Sequence, residues 1–173
     1  MIRDAVETDR PALLALQSLL PEPAPDALGE AIDGPGEVLV ATGGVRKTTS
    51  SSSAASQNAS RSENANVSDL LDAGGDRDCR RPIGYVFAMP SDDRAYVAEL
   101  VVAPDRRREG VASQLFTRLF DRLGDRGVRL VTLAVSPDND DAREFYEEWG
   151  FRTVDRDPEY YDGDPALLLA RPL

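Results

Sequence analysis

Residues 101–112 read VVAPDRRREGVA and join a predicted strand to a predicted helix through a charged loop. The helix is predicted over residues 110–125, because apolar side chains recur there three and four residues apart. The first N–H groups of a helix have no partner inside it, and the helix dipole makes them attractive to anions. Gly110 and Ala112 add little bulk at this point, and the three arginines at 106–108 add positive charge. The residues alone therefore predict a loop that holds a phosphate group.

Strands and helices alternate on both sides of this loop. Apolar and β-branched runs predict strands at residues 2–6, 37–42, 82–89, 94–102, 128–135, 151–155 and 166–170. Helical periodicity predicts a helix from a cap at Thr8 or Asp9 to Leu20, and further helices at 26–32, 110–125 and 138–149. The run 128–135 is nearly all apolar, which is typical of a strand buried on both faces. The order of these elements predicts an α/β fold with a mixed sheet.

The chain has 173 residues, which suits one domain over 1–173 with an adequate apolar core. Residues 44–80 differ from the rest, since they are rich in serine and glycine and show no apolar period. We interpret them as a disordered insertion between two strands, for which a short hairpin is the alternative connection.

The composition argues against several classes of function and of active site. A net charge of −11 argues against a nucleic-acid-binding surface, because phosphate backbones would be repelled. Histidine is absent, which excludes a Ser-His-Asp triad, a Cys-His pair and histidine-ligated metals, so no metal site is expected. Cys79 is the one cysteine and can form no internal disulfide. No secretory signal and no run of membrane-spanning length is apparent, so we expect a cytoplasmic protein without a membrane partner.

The loop also carries a family resemblance. Residues 107–112, RREGVA, resemble the R/Q-x-x-G-x-G/A signature of the GNAT N-acetyltransferase superfamily. Asp138-Asn139 followed by FYEEWGF at 145–151 resembles a later segment of that family, as does the opening strand and helix. The resemblance covers nearly the whole chain except the serine-rich insertion. It implies a mixed, mostly antiparallel central sheet flanked by about four helices, with acetyl-CoA as co-substrate.

The resemblance also implies which residues hold the cofactor. Main-chain groups of residues 100–102 would pair with the pantetheine arm, the loop would bind the pyrophosphate, and Asn139 would contact the arm. The expected cofactor-binding residues are Leu100, Val101, Val102, Arg107, Arg108, Glu109, Gly110, Val111, Ala112, Ser113 and Asn139. Asn139 has an alternative reading as a helix N-cap.

Two residues are expected to carry the chemistry. Tyr146 matches the family's general acid, which protonates the leaving thiolate, although it shares a helical face with apolar residues and also suits a core position. The glutamate that relatives of the ribosomal-protein-alanine type use as base aligns with Ala134, so that role is vacant. Glu99 is the substitute, acting directly or through water, with an exposed or salt-bridged strand residue as the alternative.

The acceptor is implied by the end of the chain. Residues 160–167, YYDGDPAL, resemble a segment of protein N-terminal acetyltransferases in which tyrosines line the peptide cleft. Tyr160 and Tyr161 are therefore expected to bind substrate, unless they only pack the last hairpin. The favoured acceptor is the α-amine of a protein or peptide N-terminus, and the protein is a monomer or homodimer. The alternatives are a small amine or a lysine side chain, or a non-catalytic acyl-CoA sensor.

Overall fold

A computed structural model describes residues 1–20, 25–43, 81–161 and 163–173. The predicted disorder of residues 44–80 lies outside this described part. The strands are β1 (Ile2–Asp4), β2 (Glu37–Thr42), β3 (Pro82–Ser91), β4 (Arg94–Val102), β5 (Leu130–Val135), β6 (Arg152–Tyr161) and β7 (Asp164–Pro172). The α-helices are α1 (Arg10–Gln17), α2 (Pro25–Asp33), α3 (Val111–Asp125) and α4 (Asp140–Glu148). Short 3-10 turns precede α1 at Glu7–Asp9 and follow β4 at Pro104–Arg106.

The strands form one seven-stranded sheet in the order β1-β2-β3-β4-β5-β7-β6. All neighbouring strands are antiparallel except β4 and β5, which are parallel because α3 connects them. The predicted mixed, mostly antiparallel sheet with four helices is therefore confirmed.

A hydrophobic core lies on each face of the sheet. On one face, α3 and α4 cover side chains of the central strands, with Phe116, Leu119 and Phe151 fully buried. On the other face, α1 and α2 cover Tyr85 and Val40, which are also fully buried. Burying an apolar side chain of this size contributes about 1.5–3 kcal/mol, so these two layers hold the sheet between helices.

Strand β5 differs from its prediction. Val131, Leu133 and Val135 are buried against the α3 side, whereas the alternate residues 130, 132 and 134 are half-buried. The reason is that α1 and α2 pack on β2, β3 and β4, which leaves the other face of β5 less covered. An apolar sequence run therefore overstated the burial of this strand.

The last two strands are longer than predicted and form a hairpin. They cover Arg152–Tyr161 and Asp164–Pro172 and turn at Gly163, whose φ of 105° lies in the region that favours glycine. The charged and polar residues of β6 hid this length, because nearly all of them are exposed. None of the described helices is long and apolar enough to cross a membrane.

Candidate active site

The sheet splits between β4 and β5, and a cleft opens at the split. Parallel pairing of the two strands ends at Val97 and Leu133. Ala98 follows as an extra residue of β4 with no counterpart on β3, and such a bulge bends its strand. Within the described ranges, residues 98–102 therefore have no strand partner on the β5 side. An extended ligand can pair its own amides with such an open edge.

The cleft has a volume of about 570 Å³ and is bounded by the end of β4, the loop before α3, the first turn of α3 and one face of α4. Every predicted cofactor-binding residue except Glu109 lines it: Leu100, Val101, Val102, Arg107, Arg108, Gly110, Val111, Ala112, Ser113 and Asn139. Glu109 instead forms an ion pair with Arg106, whose Nε lies 3.2 Å from its carboxylate.

The N-terminus of α3 is open toward this cleft. Gly110 occupies the N-cap with φ at 77° and supplies no side-chain cap. The Gln114 N–H donates to the Gly110 carbonyl at 3.0 Å, which is the first hydrogen bond of the helix. The N–H groups of residues 111–113 precede this bond and therefore lack a helical i−4 partner. Nothing lies within 4 Å of the point where a Cβ of Gly110 would be. Backbone N–H groups without a helical partner and open space at Gly110 therefore lie together, as an anion site requires.

Arginines bring positive charge to the same place. Arg107 donates from Nε to the Val102 carbonyl at 3.3 Å, which ties the loop to β4. Arg108 has φ at 59° and pairs with Asp141 of α4 at 3.1 Å, and both side chains are more than four-fifths exposed. Exposed ion pairs contribute only about 0–1 kcal/mol, so a phosphate can compete with Asp141 for Arg108 at little cost.

Tyr146 lines the cleft from α4 and is packed by aromatic rings. Its ring centroid lies 5.9 Å from those of Phe116 and Phe151, and the residue is 9% exposed. No hydrogen bond to its hydroxyl is found among the described residues. Burial raises the pKa of the Tyr146 phenol above its usual range, and the proximity of Tyr161 raises the pKa further. Tyr146 is therefore both a core residue and a protonated hydroxyl at the cleft wall.

Asn139 caps α4 and lines the cleft as well. Its Oδ1 accepts a hydrogen bond from the Ala142 N–H at 3.2 Å, which accounts for the start of the helix at Asp140. The cap fixes the end of α4 that carries Ala142 and Tyr146, one turn apart on the cleft side. The two readings of Asn139 are thus compatible.

Glu99 faces α1, on the side of the sheet opposite Tyr146, and is not among the residues that line this cleft. It is 8% exposed, and each of its oxygens accepts one hydrogen bond. Gln17 of α1 donates from Nε2 at 2.7 Å, and Tyr85 of β3 donates from its hydroxyl at 2.7 Å. Burial raises the pKa of Tyr85, and the charge of Glu99 raises it further. Neither an exposed side chain nor a salt bridge describes Glu99, which joins α1 to the centre of the sheet.

Tyr160 and Tyr161 also lie outside the lining of this cleft, near the tip of the β6–β7 hairpin. Their rings meet edge to face with centroids 4.8 Å apart. The Tyr160 hydroxyl is 2.6 Å from the hydroxyl of Tyr96 on β4. The predicted tyrosine pair is therefore attached to a third tyrosine, Tyr96, which no sequence pattern indicated.

Other cleft residues also escaped prediction. Leu19 and Leu20 follow α1, and Phe145 and Ala142 lie on α4. The spacing of four between Ala142 and Tyr146 was a usable signal for a shared helix face. The residues around Leu19 and Leu20 did not indicate the cleft, because residues 21–99 separate them from its other lining residues in the sequence. Within the described residues, no group of three or more acidic, cysteine or histidine side chains could hold a metal ion.

Comparison with known proteins identifies the family. The protein-family model described as "Acetyltransferase (GNAT) family" matches residues 46–151, which is more than half of the chain. The chain belongs to the GNAT acetyltransferase family. The matched range contains the loop before α3 and the helix that carries Tyr146, so the predicted resemblance is confirmed.

Individual relatives agree with this family. Over 68 residues, this GNAT chain is 34% identical to N-alpha-acetyltransferase 30 of Schizosaccharomyces pombe (strain 972 / ATCC 24843), covering 39% of this chain and 45% of that protein. Over 85 residues it is 34% identical to the ribosomal protein bS18-alanine N-acetyltransferase of Escherichia coli strain K12, covering 47% and 57%. The chain thus spans about half the length of these relatives.

Solved structures share the fold. The chain superposes on the crystal structure of the ribosomal-protein-S18-alanine N-acetyltransferase from Escherichia coli with a TM-score of 0.70 and 21% sequence identity. The superposition covers 99% of this chain and 92% of that one. The likeness extends over both hydrophobic cores and both sides of the split sheet.

Proposed function

We propose that this GNAT protein transfers the acetyl group of acetyl-CoA directly to a primary amine, and that its favoured acceptor is the N-terminal α-amine of a protein or peptide. The observation that carries the proposal is the meeting of an open β4 edge with the uncapped N-terminus of α3 in one cleft. The first feature suits an amide-containing arm, and the second suits a pyrophosphate.

The residues of the cleft fit acetyl-CoA in a consistent order. The N–H groups at the start of α3, with Arg107 and Arg108, would hold the pyrophosphate. Main-chain groups of residues 100–102 would pair with the pantetheine arm, which places the thioester toward Tyr146. The bulge at Ala98 supports this arrangement, since it opens the edge that the arm needs.

Tyr146 is proposed as the general acid. The amine nitrogen bonds to the thioester carbonyl carbon, the carbon–sulfur bond breaks, and the Tyr146 hydroxyl donates its proton to the sulfur. Burial raises the pKa of Tyr146, so the phenol carries its proton at neutral pH and can donate it when the thiolate develops. No acyl-enzyme forms, so the chain needs no nucleophile.

Glu99 is proposed as the base that receives the proton of the amine through water. Ala134 lies on the same face of the sheet as Tyr96 and provides no carboxylate there. Glu99 is the buried carboxylate of β4, and it faces α1 beside the split. The two hydrogen bonds that it accepts leave lone pairs for a water molecule, because a carboxylate can accept about four.

The names of the relatives support this acceptor. One is an N-alpha-acetyltransferase, and the other is an N-acetyltransferase named for an alanine of ribosomal protein bS18. The tyrosines of the β6–β7 hairpin supply a wall that suits a peptide.

Cytoplasmic action and a monomeric or homodimeric state belong to the same proposal. Cell fractionation would check the location, and light scattering would check the oligomeric state.

Thermal unfolding with acetyl-CoA is the first test. A ligand that binds the native state raises the melting temperature, by the equivalent of about 2.7 kcal/mol at one hundred times the Kd. No shift would contradict both the enzyme and the acyl-CoA sensor.

Thiol release with a panel of peptides then separates the acceptors. Each peptide contains one lysine and is used with a free or a chemically blocked N-terminus. The proposal predicts release only with free N-termini. Release with blocked peptides would indicate a lysine acceptor, and binding of acetyl-CoA without release on any amine would indicate a sensor.

A further inference from the structure

The hairpin of β6 and β7 is attached to β4 through two tyrosine hydroxyls. Tyr96 and Tyr160 are 64 residues apart in the sequence, and their hydroxyl oxygens are 2.6 Å apart. One hydroxyl must donate and the other accept at this distance.

We infer that Tyr96 is a positioning residue that holds Tyr160 and the hairpin tip, which lie outside the lining of the cleft, in place as a wall for the acceptor. This inference rests on the proposed function, because it names what fixes the acceptor wall of that site. The hydroxyl of Tyr160 is engaged by Tyr96, so the acceptor meets a wall of oriented rings formed by Tyr160 and Tyr161.

The strand topology leaves the tip of the β6–β7 hairpin without support from β5. Pairing of β7 with β5 ends at Leu167 and Val135, whereas β6 and β7 continue together to Tyr161 and Asp164. The tip therefore extends beyond the strand that supports the rest of the hairpin. A polar bond back to β4 restrains it.

The local backbone of β6 aims Tyr160 at β4. Its register with β7 shifts between Asp157 and Tyr161, so the residues between them leave the regular ladder. Bulged segments of this kind re-aim side chains. Tyr160 lies in this segment and meets a hydroxyl from the centre of the sheet.

The position of Tyr96 places this attachment beside the split. Tyr96 is opposite Thr132 on β5, one residue before the last parallel pair, and opposite Met89 on β3. Ala98, the bulged residue, follows two positions later. Tyr96 is half-buried, and burial and the bond to Tyr160 raise the pKa of Tyr96, so the Tyr96 hydroxyl stays protonated at neutral pH.

The test is a double-mutant cycle of Tyr96→Phe and Tyr160→Phe, which removes hydroxyls and keeps the rings. Either change is expected to raise the KM for the acceptor peptide about threefold to tenfold, the size of one hydrogen bond. The double variant should be no worse than the single ones, because both remove the same bond. For Tyr96→Phe, kcat should change less than twofold and the Kd for acetyl-CoA should not change.

Hydrogen–deuterium exchange of the free protein gives a readout that needs no acceptor. Amides between residues 157 and 166 should exchange faster in both single variants, while those of α3 should not. Unchanged exchange and unchanged acceptor KM would overturn the inference. A loss of kcat in Tyr96→Phe that Tyr160→Phe does not share would also overturn it, since Tyr96 would then act on the reacting atoms.

The exchange and activity measurements distinguish a failure of this inference from a failure of the proposed function. Faster exchange at the tip in a protein that acetylates no amine would support the attachment and contradict the proposed function. Normal exchange in an active acetyltransferase would support the function and contradict the attachment.

Discussion

The proposed donor side, which is the cleft, and the proposed acceptor side, which lies outside the lining of the cleft, are built in different ways. The donor side comes from one continuous stretch, since residues 100–113 provide the open strand edge, the loop and the start of α3. The proposed acceptor side is assembled from residues that are distant in the sequence. Tyr96 meets Tyr160 across 64 residues, and Glu99 meets Gln17 across 82.

The difference lies in what each side uses for recognition. The donor side relies on backbone N–H groups, which any sequence with glycine and small residues at the right points can present. The acceptor side relies on side chains whose positions depend on the register of the sheet. Substitutions on one side should therefore leave binding on the other side unchanged.

The largest effect is expected where the two sides meet. Tyr146→Phe keeps the ring among Phe116 and Phe151 and removes the proton donor. We expect kcat to fall about 100-fold to 1000-fold, as for loss of a general acid, with the Kd for acetyl-CoA unchanged. Steady-state thiol release and calorimetry measure the two quantities. An unchanged kcat would mean that Tyr146 is a core residue only.

A somewhat smaller effect is expected at Glu99. Glu99→Gln should lower kcat about 100-fold and leave the fold nearly as stable, because the Tyr85 hydroxyl can accept a hydrogen bond from the new amide. Glu99→Leu is the contrasting variant, since it leaves two buried donors unpaired and should lower the free energy of unfolding by about 1–3 kcal/mol for each.

Urea denaturation and thiol release on both variants separate the two roles of Glu99. If Glu99→Gln retains full activity while Glu99→Leu is merely unstable, the carboxylate ties α1 to the sheet and is not the base.

The smallest effect is expected at the exposed ion pair of the donor side. Arg108→Ala should weaken acetyl-CoA binding about twofold to fivefold, whereas Asp141→Ala should strengthen it by a similar factor, because Arg108 then loses its competing carboxylate. Both changes should shrink at high salt. Calorimetric titrations at two salt concentrations measure them, and effects of the same sign would contradict this assignment.

Much of the fold was predictable because its signals are local. The order of strands and helices follows from periodicity, and the donor loop follows from the glycine and arginines at 106–110. The split of the sheet was not predictable, because it depends on Ala98 having no counterpart on β3. Nothing in the residues around Ala98 announces a bulge.

The acceptor side was predictable only in part, for the same physical reason. Tyr160 and Tyr161 were found through resemblance, but the partner of Tyr160 depends on the tertiary path of the hairpin. Glu99 was found as a carboxylate of β4, yet its partners Gln17 and Tyr85 come from other elements. The charged sequence of β6 likewise concealed a strand whose residues are almost all exposed.

The central claim is that acetyl-CoA binds with its pyrophosphate at the N-terminus of α3. Gly110 and Gly127 flank the two ends of this helix, with φ of 77° and 79° and open space where a Cβ would lie. A side chain at either position carries a similar backbone cost of about 1–2 kcal/mol. Gly110 lines the cleft, and Gly127 does not.

The most direct measurement is calorimetric titration of acetyl-CoA into the wild type, Gly110→Val and Gly127→Val. We predict that Gly110→Val weakens binding at least about tenfold, which is 1.4 kcal/mol, because its side chain occupies the space of the phosphate. Gly127→Val should bind like the wild type. Equal affinity in all three proteins would contradict the assignment of this cleft to the donor.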